Sequence, residues 1–336
     1  MRWVCLFLFC LLSLHLEGKI FSRPHEKPPI NAVVSFDLTV GNMDRSVAFY
    51  TKILGFQKVA DYKVSGEPYD TLYDLKGSRI HVVRLRLGLE TLTLMEFEKP
   101  KGRSLPTDFA SDDSMFQHIA IVVSDLNKAY GILLKNQIVT ISPEPQKLPE
   151  WNPASSGLQA IYFRDPDRHP LELMQFPAGK GNPRWQQTHG QLFLGIDHSS
   201  LTINNTSKSL EFYHHHLGLK ITADSLDYGP EREKLTGVKG AKVYITSLSA
   251  EQGPGIELLD YLTPETGRNM PPDTRANDLW HWQIRLQSPE LAELHQSLVK
   301  ANTFVRKLLN FQNPYLDYHE AFLVRDPDGH ALLITQ

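Results

Sequence analysis

The 336-residue sequence predicts an α+β fold built from four copies of one module, each a strand, a helix and then several strands. A long-range internal repeat and a pair of matching Asp-Pro-Asp turns carry that prediction. VSFDLTVGNMDRSVAFYTKILGF (34–56) and DHSSLTINNTSKSLEFYHHHLGL (197–219) share one plan. Each opens on an alternating strand, passes a polar turn able to cap a helix, and ends a Phe-Tyr-bearing helix at Leu-Gly. Phe49 and Phe212 stand 163 residues apart.

A second pair repeats at the same spacing. FQHIAIVVSDLNKAYGILLKN (116–136) corresponds to LWHWQIRLQSPELAELHQSLVKAN (279–302), and His118 and His281 are also 163 apart. These stretches lead into YFRDPDRHPLELMQF (162–176) and FLVRDPDGHALLITQ (322–336), each a strand, a tight turn and a final strand. The order is therefore A-B-A′-B′, an old duplication of a two-module unit.

In chain order, Arg2 precedes an apolar run, WVCLFLFCLLSLHL (3–16), of secretory length and too short for a comfortable membrane span. Residues 1–18 are read as an export signal or N-terminal anchor, which implies a secreted or periplasmic protein, and 19–30 as a polar tether. The first domain then covers 31–176, with modules 31–99 and 116–176. Residues 177–192, rich in Pro, Gly and polar side chains, form a linker. The second domain covers 193–336, with modules 193–261 and 279–336. Gly55 and Gly218 follow the first helix of each half, where a left-handed residue ends a helix. Asn204 and Asn205 begin overlapping N-x-S/T sequons that matter only in a eukaryotic secretory host, and Thr206 or Ser207 is the expected helix cap.

Composition removes several function classes. A net charge of −3 and the lack of a Lys/Arg run with interleaved aromatics give no footprint for nucleic acid or an anionic membrane. Both cysteines, Cys5 and Cys10, lie in the apolar run, so the body has no thiolate or disulfide chemistry. Any metal there must be held by His and carboxylate side chains.

The FYxxxLGF helix, the RDPDGxxLEL turn and the paired modules resemble the vicinal oxygen chelate superfamily, which includes glyoxalases, bleomycin-resistance proteins and extradiol dioxygenases. The resemblance implies modules paired into two cup-shaped domains, with ligands on the first and last strands of each module. Pairing within halves, which the equal offsets favour, makes the second cup the live one: His198 and Glu257 from the third module with His281 from the fourth. Two imidazoles and a carboxylate suit Fe2+, Mn2+, Zn2+ or Ni2+ and leave room for vicinal substrate oxygens. Leu333 stands where the resemblance places a further ligand.

The first half reads Ser35, Thr93, His118 and Glu172 at the same places, an eroded second site with one complete pair. A competing assembly joins modules two and three and gathers His118, Glu172, His198 and Glu257, the full glyoxalase set. Tyr318 and His319 are expected near a cup mouth as acid, base or substrate contact. The resemblance thus implies a metal-dependent enzyme acting on a small molecule, dioxygenase-like or glyoxalase-like, with a homodimer compatible. The alternative is a metal-free binder of the bleomycin-resistance type.

Overall fold

The computed structural model describes residues 28–336; the expected export signal and the tether up to residue 27 lie outside the described residues. The first module runs β1 (Ala32–Thr39), α1 (Met43–Lys52), β2 (Gln57–Ser65), α2 (Glu67–Tyr73), β3 (Arg79–Leu87) and β4 (Glu90–Lys99). The second is β5 (Gln117–Val123), α3 (Leu126–Lys135), β6 (Gln146–Lys147), β7 (Gln159–Arg164) and β8 (Pro170–Gln175). The third comprises β9 (Phe193–Ile203), α4 (Thr206–Leu210, widening into a π turn over Glu211–His216), β10 (Lys220–Tyr228), α5 (Pro230–Thr236), β11 (Lys242–Ser249) and β12 (Gly255–Thr263). The fourth holds β13 (Trp282–Gln287), α6 (Leu291–Lys300), β14 (Phe304–Val305), β15 (Leu309–Asn310), β16 (Glu320–Arg325) and β17 (Ala331–Thr335).

Local chemistry accounts for these boundaries. Asn42, Asp125 and Asn205 cap α1, α3 and α4, each side chain accepting the backbone N–H three residues on, at 2.9 to 3.0 Å. Asn205, rather than Thr206 or Ser207, is thus the cap, while Thr206 donates to Asp260. Gly55 and Gly218 have φ of 75°, the left-handed stop expected after each helix.

The modules assemble across the halves. β1 lies antiparallel to β13 and β5 antiparallel to β9, so the outer modules, first and fourth, form one sheet in the order β14-β16-β17-β13-β1-β4-β3-β2. The inner modules, second and third, form the other, β10-β11-β12-β9-β5-β8-β7-β6. Pairing within halves is therefore corrected. The repeat could not reveal this, because either arrangement joins one A-type module to one B-type module through the same strand edges. The choice resembles a domain swap, decided by how the connecting segments run.

Those segments, between β4 and β5 and between β12 and β13, clamp one another by matched ion pairs. Arg103 binds Asp278 and Asp273, and Arg268 binds Asp113 and Asp108. The Asp-Pro-Asp turns join the sheets as well. Asp165 accepts the backbone N–H of Asp167 and His169, the Tyr50 hydroxyl from α1 and the His169 ring, while His169 Nε2 reaches Leu279 O. Asp326, Tyr213 and His330 repeat the arrangement, ending on Ser114 O. Arg164 and Arg325 brace these turns through the carbonyls of Arg168 and Gly329.

Strand alternation distributes the core. On β5, Ile119, Ile121 and Val123 face the large apolar layer shared by all four modules; Ala120 and Val122, with Phe116 just before the strand, face the concave side of the inner sheet. The outer sheet has its own concave cluster, with Tyr62, Tyr69, Phe97 and Tyr318.

Candidate metal centre

His118 precedes Ala120 on the concave face of β5, and β8 brings Glu172 beside it, since Ala120 and Glu172 are partners in the parallel β5·β8 ladder. The antiparallel β5·β9 ladder sets Ala120 opposite His198 and His118 opposite Ser200. β12 then aligns Gly255 with His198 and Glu257 with Ser200. Four potential ligands thus reach one cup floor from the first and last strands of the two inner modules.

The contacts are short. His118 Nε2 lies 3.2 Å from Glu172 Oε2, and His198 Nε2 lies 3.8 Å from the same oxygen and 3.3 Å from Glu257 Oε2. Ligand atoms of His118, Glu172 and His198 all fall within 4.8 Å of one another. Ser200 and Ser247 hydroxyls donate to Glu257 at 3.3 and 3.0 Å and hold its carboxylate toward the group. A cavity of about 140 Å³ opens above, and Glu172, His198, Glu257, Tyr162 and Arg232 are among its walls.

The residues fit a cation. Both His118 nitrogens and His198 Nε2 are buried without a well-directed hydrogen bond among the described residues. Native proteins rarely leave such groups unpaired, and two imidazoles with two carboxylates form a nitrogen–oxygen set for a divalent transition metal. Burial keeps His118 below its usual pKa, so its ring is neutral and its lone pair is free. His198 is different: burial opposes its charge, but Glu257, Asp197 and Glu172 outweigh that and raise its pKa to about 10. A proton therefore fills its place when no cation does, and binding a cation releases it. Asp197 accepts His198 Nδ1 at 3.0 Å and the Trp185 indole N–H at 2.7 Å, which turns Nε2 toward the glutamates.

Of the expected triad, His198 and Glu257 come together and His281 does not. His281 sits directly before β13 in the outer sheet, 3.3 Å from Gln283 Oε1, and burial together with Arg325 lowers its pKa to about 3. The ladder also corrects its alignment. Ser35 opposes Arg285 and Asp37 opposes Gln283, so Gln283, not His281, occupies the place of His118. Sliding a strand by two residues preserves which face each side chain occupies, so alternation alone could not expose the slip.

His118 and Glu172, expected in an eroded site, are half of the convergent one. Ser35, Thr93, Gln283 and Leu333 hold the corresponding places in the outer sheet and offer no such set. Tyr318 lines the outer cup and His319 is exposed, so neither reaches this centre. The sequence reading missed Asp197, although its position directly before His198 is a local signal for an orienting carboxylate. It also missed Arg232, buried at 6% exposure and ion-paired with Asp227.

The sequence pattern of the Glyoxalase/Bleomycin resistance protein/Dioxygenase superfamily matches residues 30–173 and again 195–334. Among solved structures, glyoxalase I from Zea mays superposes with a TM-score of 0.59 at 16% identity, covering 91% of this chain and 92% of that one. A putative dioxygenase from Bacillus subtilis gives 0.58 at 16%, covering 92% and 86%. No curated protein matches the sequence.

Proposed function

Because the chain belongs to the Glyoxalase/Bleomycin resistance protein/Dioxygenase superfamily, we propose that it is a metal-dependent enzyme moving a proton beside a carbonyl of a small substrate with vicinal oxygens. The reaction is a glyoxalase-type lyase or isomerase step. One observation carries this reading: His118, Glu172 and His198 bring ligand atoms within 4.8 Å of one another, and Glu257 Oε2 lies 3.3 Å from His198 Nε2. A facial triad of two imidazoles and one carboxylate would suit O₂ chemistry better; here there are two carboxylates.

His118, His198 and the glutamates would hold the cation, which supplies Lewis-acid polarisation of the substrate oxygens. Glu257 is the better base of the two carboxylates. Its side chain is 24% exposed toward the cavity, against 7% for Glu172. The Ser200 and Ser247 hydroxyls keep it oriented for a proton at the substrate carbon. Leu235, Ile245 and Leu259 form an apolar wall that limits water around the reacting carbon. The 1–18 signal remains part of this proposal, with an exported protein as its consequence, checked by N-terminal sequencing of the mature chain.

The test uses untagged protein incubated in D₂O with the thiohemiacetal of a 2-oxoaldehyde. Metal analysis gives about one equivalent, deuterium enters the product carbon, and Glu257→Gln loses turnover. Less than about half an equivalent, unchanged in a His118→Ala/His198→Ala double variant, overturns the reading in favour of metal-free sequestration. Stoichiometric O₂ uptake with a catechol overturns it in favour of ring cleavage.

A further inference from the structure

The inner cup gathers carboxylates and leaves no cation free to meet another. Glu172, Asp197, Asp227 and Glu257 line its cavity, and among the described residues Arg232 is the one Lys or Arg side chain of that lining. Arg232 is closed by Asp227, buried beside it, and Asp227 also accepts Asn152. Arg184, near enough to Asp197 to favour its charge, is itself bound to Glu90 at 2.6 Å. A divalent cation on the cup floor would be matched by Glu172 and Glu257, with His198 as a neutral ligand. Asp197 then has no opposite charge of its own and rests on the His198 ring and the Trp185 indole. The balance of the cup is on the acidic side.

Size makes that balance count. The cavity of about 140 Å³ is close to an engineered cavity of about 150 Å³ that holds one benzene. A substrate that fills such a space brings every group against the walls, and an anionic group there must shed the water that stabilises it. Uncharged oxygens fare better. Arg232 Nε and Ser155 Oγ are buried without a hydrogen-bond partner among the described residues, and both side chains line the cavity. Each can serve a hydroxyl or carbonyl oxygen, whereas a carboxylate set against Arg232 meets Asp227 as a like charge.

We propose that the inner cup takes a compact α-oxygenated carbonyl compound that bears no carboxylate, phosphate or other anionic group, and that Asp227 enforces this by closing Arg232. The proposal rests on the metal centre assigned above and names the class of substrate that centre admits. Negative charge on the substrate is confined to the oxygens that the metal holds. Conjugates that carry a free carboxylate into the cup are excluded.

Calorimetric titration of the full, untagged chain loaded with Ni2+ tests this near neutral pH. The two ligands are the hydroxamate of succinic acid monoamide and the hydroxamate of succinic acid. They share one chelating head and nearly one shape, and differ in whether the far end is an amide or an ionised carboxylate. The amide binds at least about tenfold more tightly. Asp227→Asn frees the charge of Arg232 and narrows that gap to about threefold or less. Asp44→Asn, an exposed carboxylate on α1 of the outer sheet's first module, leaves the gap unchanged, which separates the cup wall from the overall charge of the protein. Equal or tighter binding of the carboxylate ligand overturns the proposal while the metal centre stands. An unchanged gap in Asp227→Asn, with circular dichroism showing a folded protein, overturns the role of Asp227; if that variant does not fold, the comparison in the unaltered protein decides. Failure of the chain to hold Ni2+ overturns the centre and the proposal with it.

Discussion

Metal-induced stabilisation separates the inner-cup centre from the His198–His281 arrangement read from sequence. A cation binding only the folded chain at about 100 times its dissociation constant adds about 2.7 kcal/mol. For a chain of this size, 1 kcal/mol moves Tm by roughly 2 °C, so the increment is roughly 5 °C. His198 is the residue whose Nε2 approaches both glutamates, at 3.8 Å to Glu172 and 3.3 Å to Glu257. His198→Ala leaves the His118–Glu172 pair and a separate Glu257, too few ligands to hold the ion. The increment then falls below about 1 °C. His281→Ala removes a buried ring of the other sheet and lowers the starting Tm, yet retains the full increment. Scanning calorimetry with and without Zn2+, Ni2+ or Mn2+ reads each increment within one variant, which cancels the structural cost of the substitution. A lost increment in His281→Ala beside a retained one in His198→Ala would refute the assignment.

Two further outcomes are expected. Ala32 and Gln287 are partners in the β1·β13 ladder, so cysteines there, with Cys5 and Cys10 changed to Ser, close an intramolecular disulfide seen by mass and gel mobility; free thiols under oxidant contradict pairing across the halves. Burial disfavours charge on His169 and His330, but Asp165 and Asp326 outweigh it and raise both pKa values, with each second nitrogen facing a carbonyl. A group raised in the folded state contributes stability fully below its unfolded pKa of about 6.5 and loses it as pH rises through the folded value. Urea midpoints therefore fall on the alkaline side, and His169→Gln/His330→Gln flattens that dependence; an unchanged slope in the double variant would show that the rings are neutral.

The module was legible because its signals are local. Alternation puts His118 on the face of Ala120 and Glu172 on the face of Met174, polar residues cap the helices, and Gly55 and Gly218 stop them, each within a few residues of chain. The cup ligands were legible one by one for the same reason: a carboxylate such as Glu257 or Glu172 in an apolar strand demands compensation. Their grouping was not. A duplicated A-B unit offers the same edges to either partner, so sequence identity between modules is silent on whether β5 meets β9 or β1. Likewise His281 and Gln283 share a face, and only the hydrogen-bonded ladder distinguishes them. By itself the sequence determined what each module is and which side chains look inward. The tertiary structure decided which modules meet, and with that decision His118, Glu172, His198 and Glu257 became one centre and His281 a buried histidine of the other sheet.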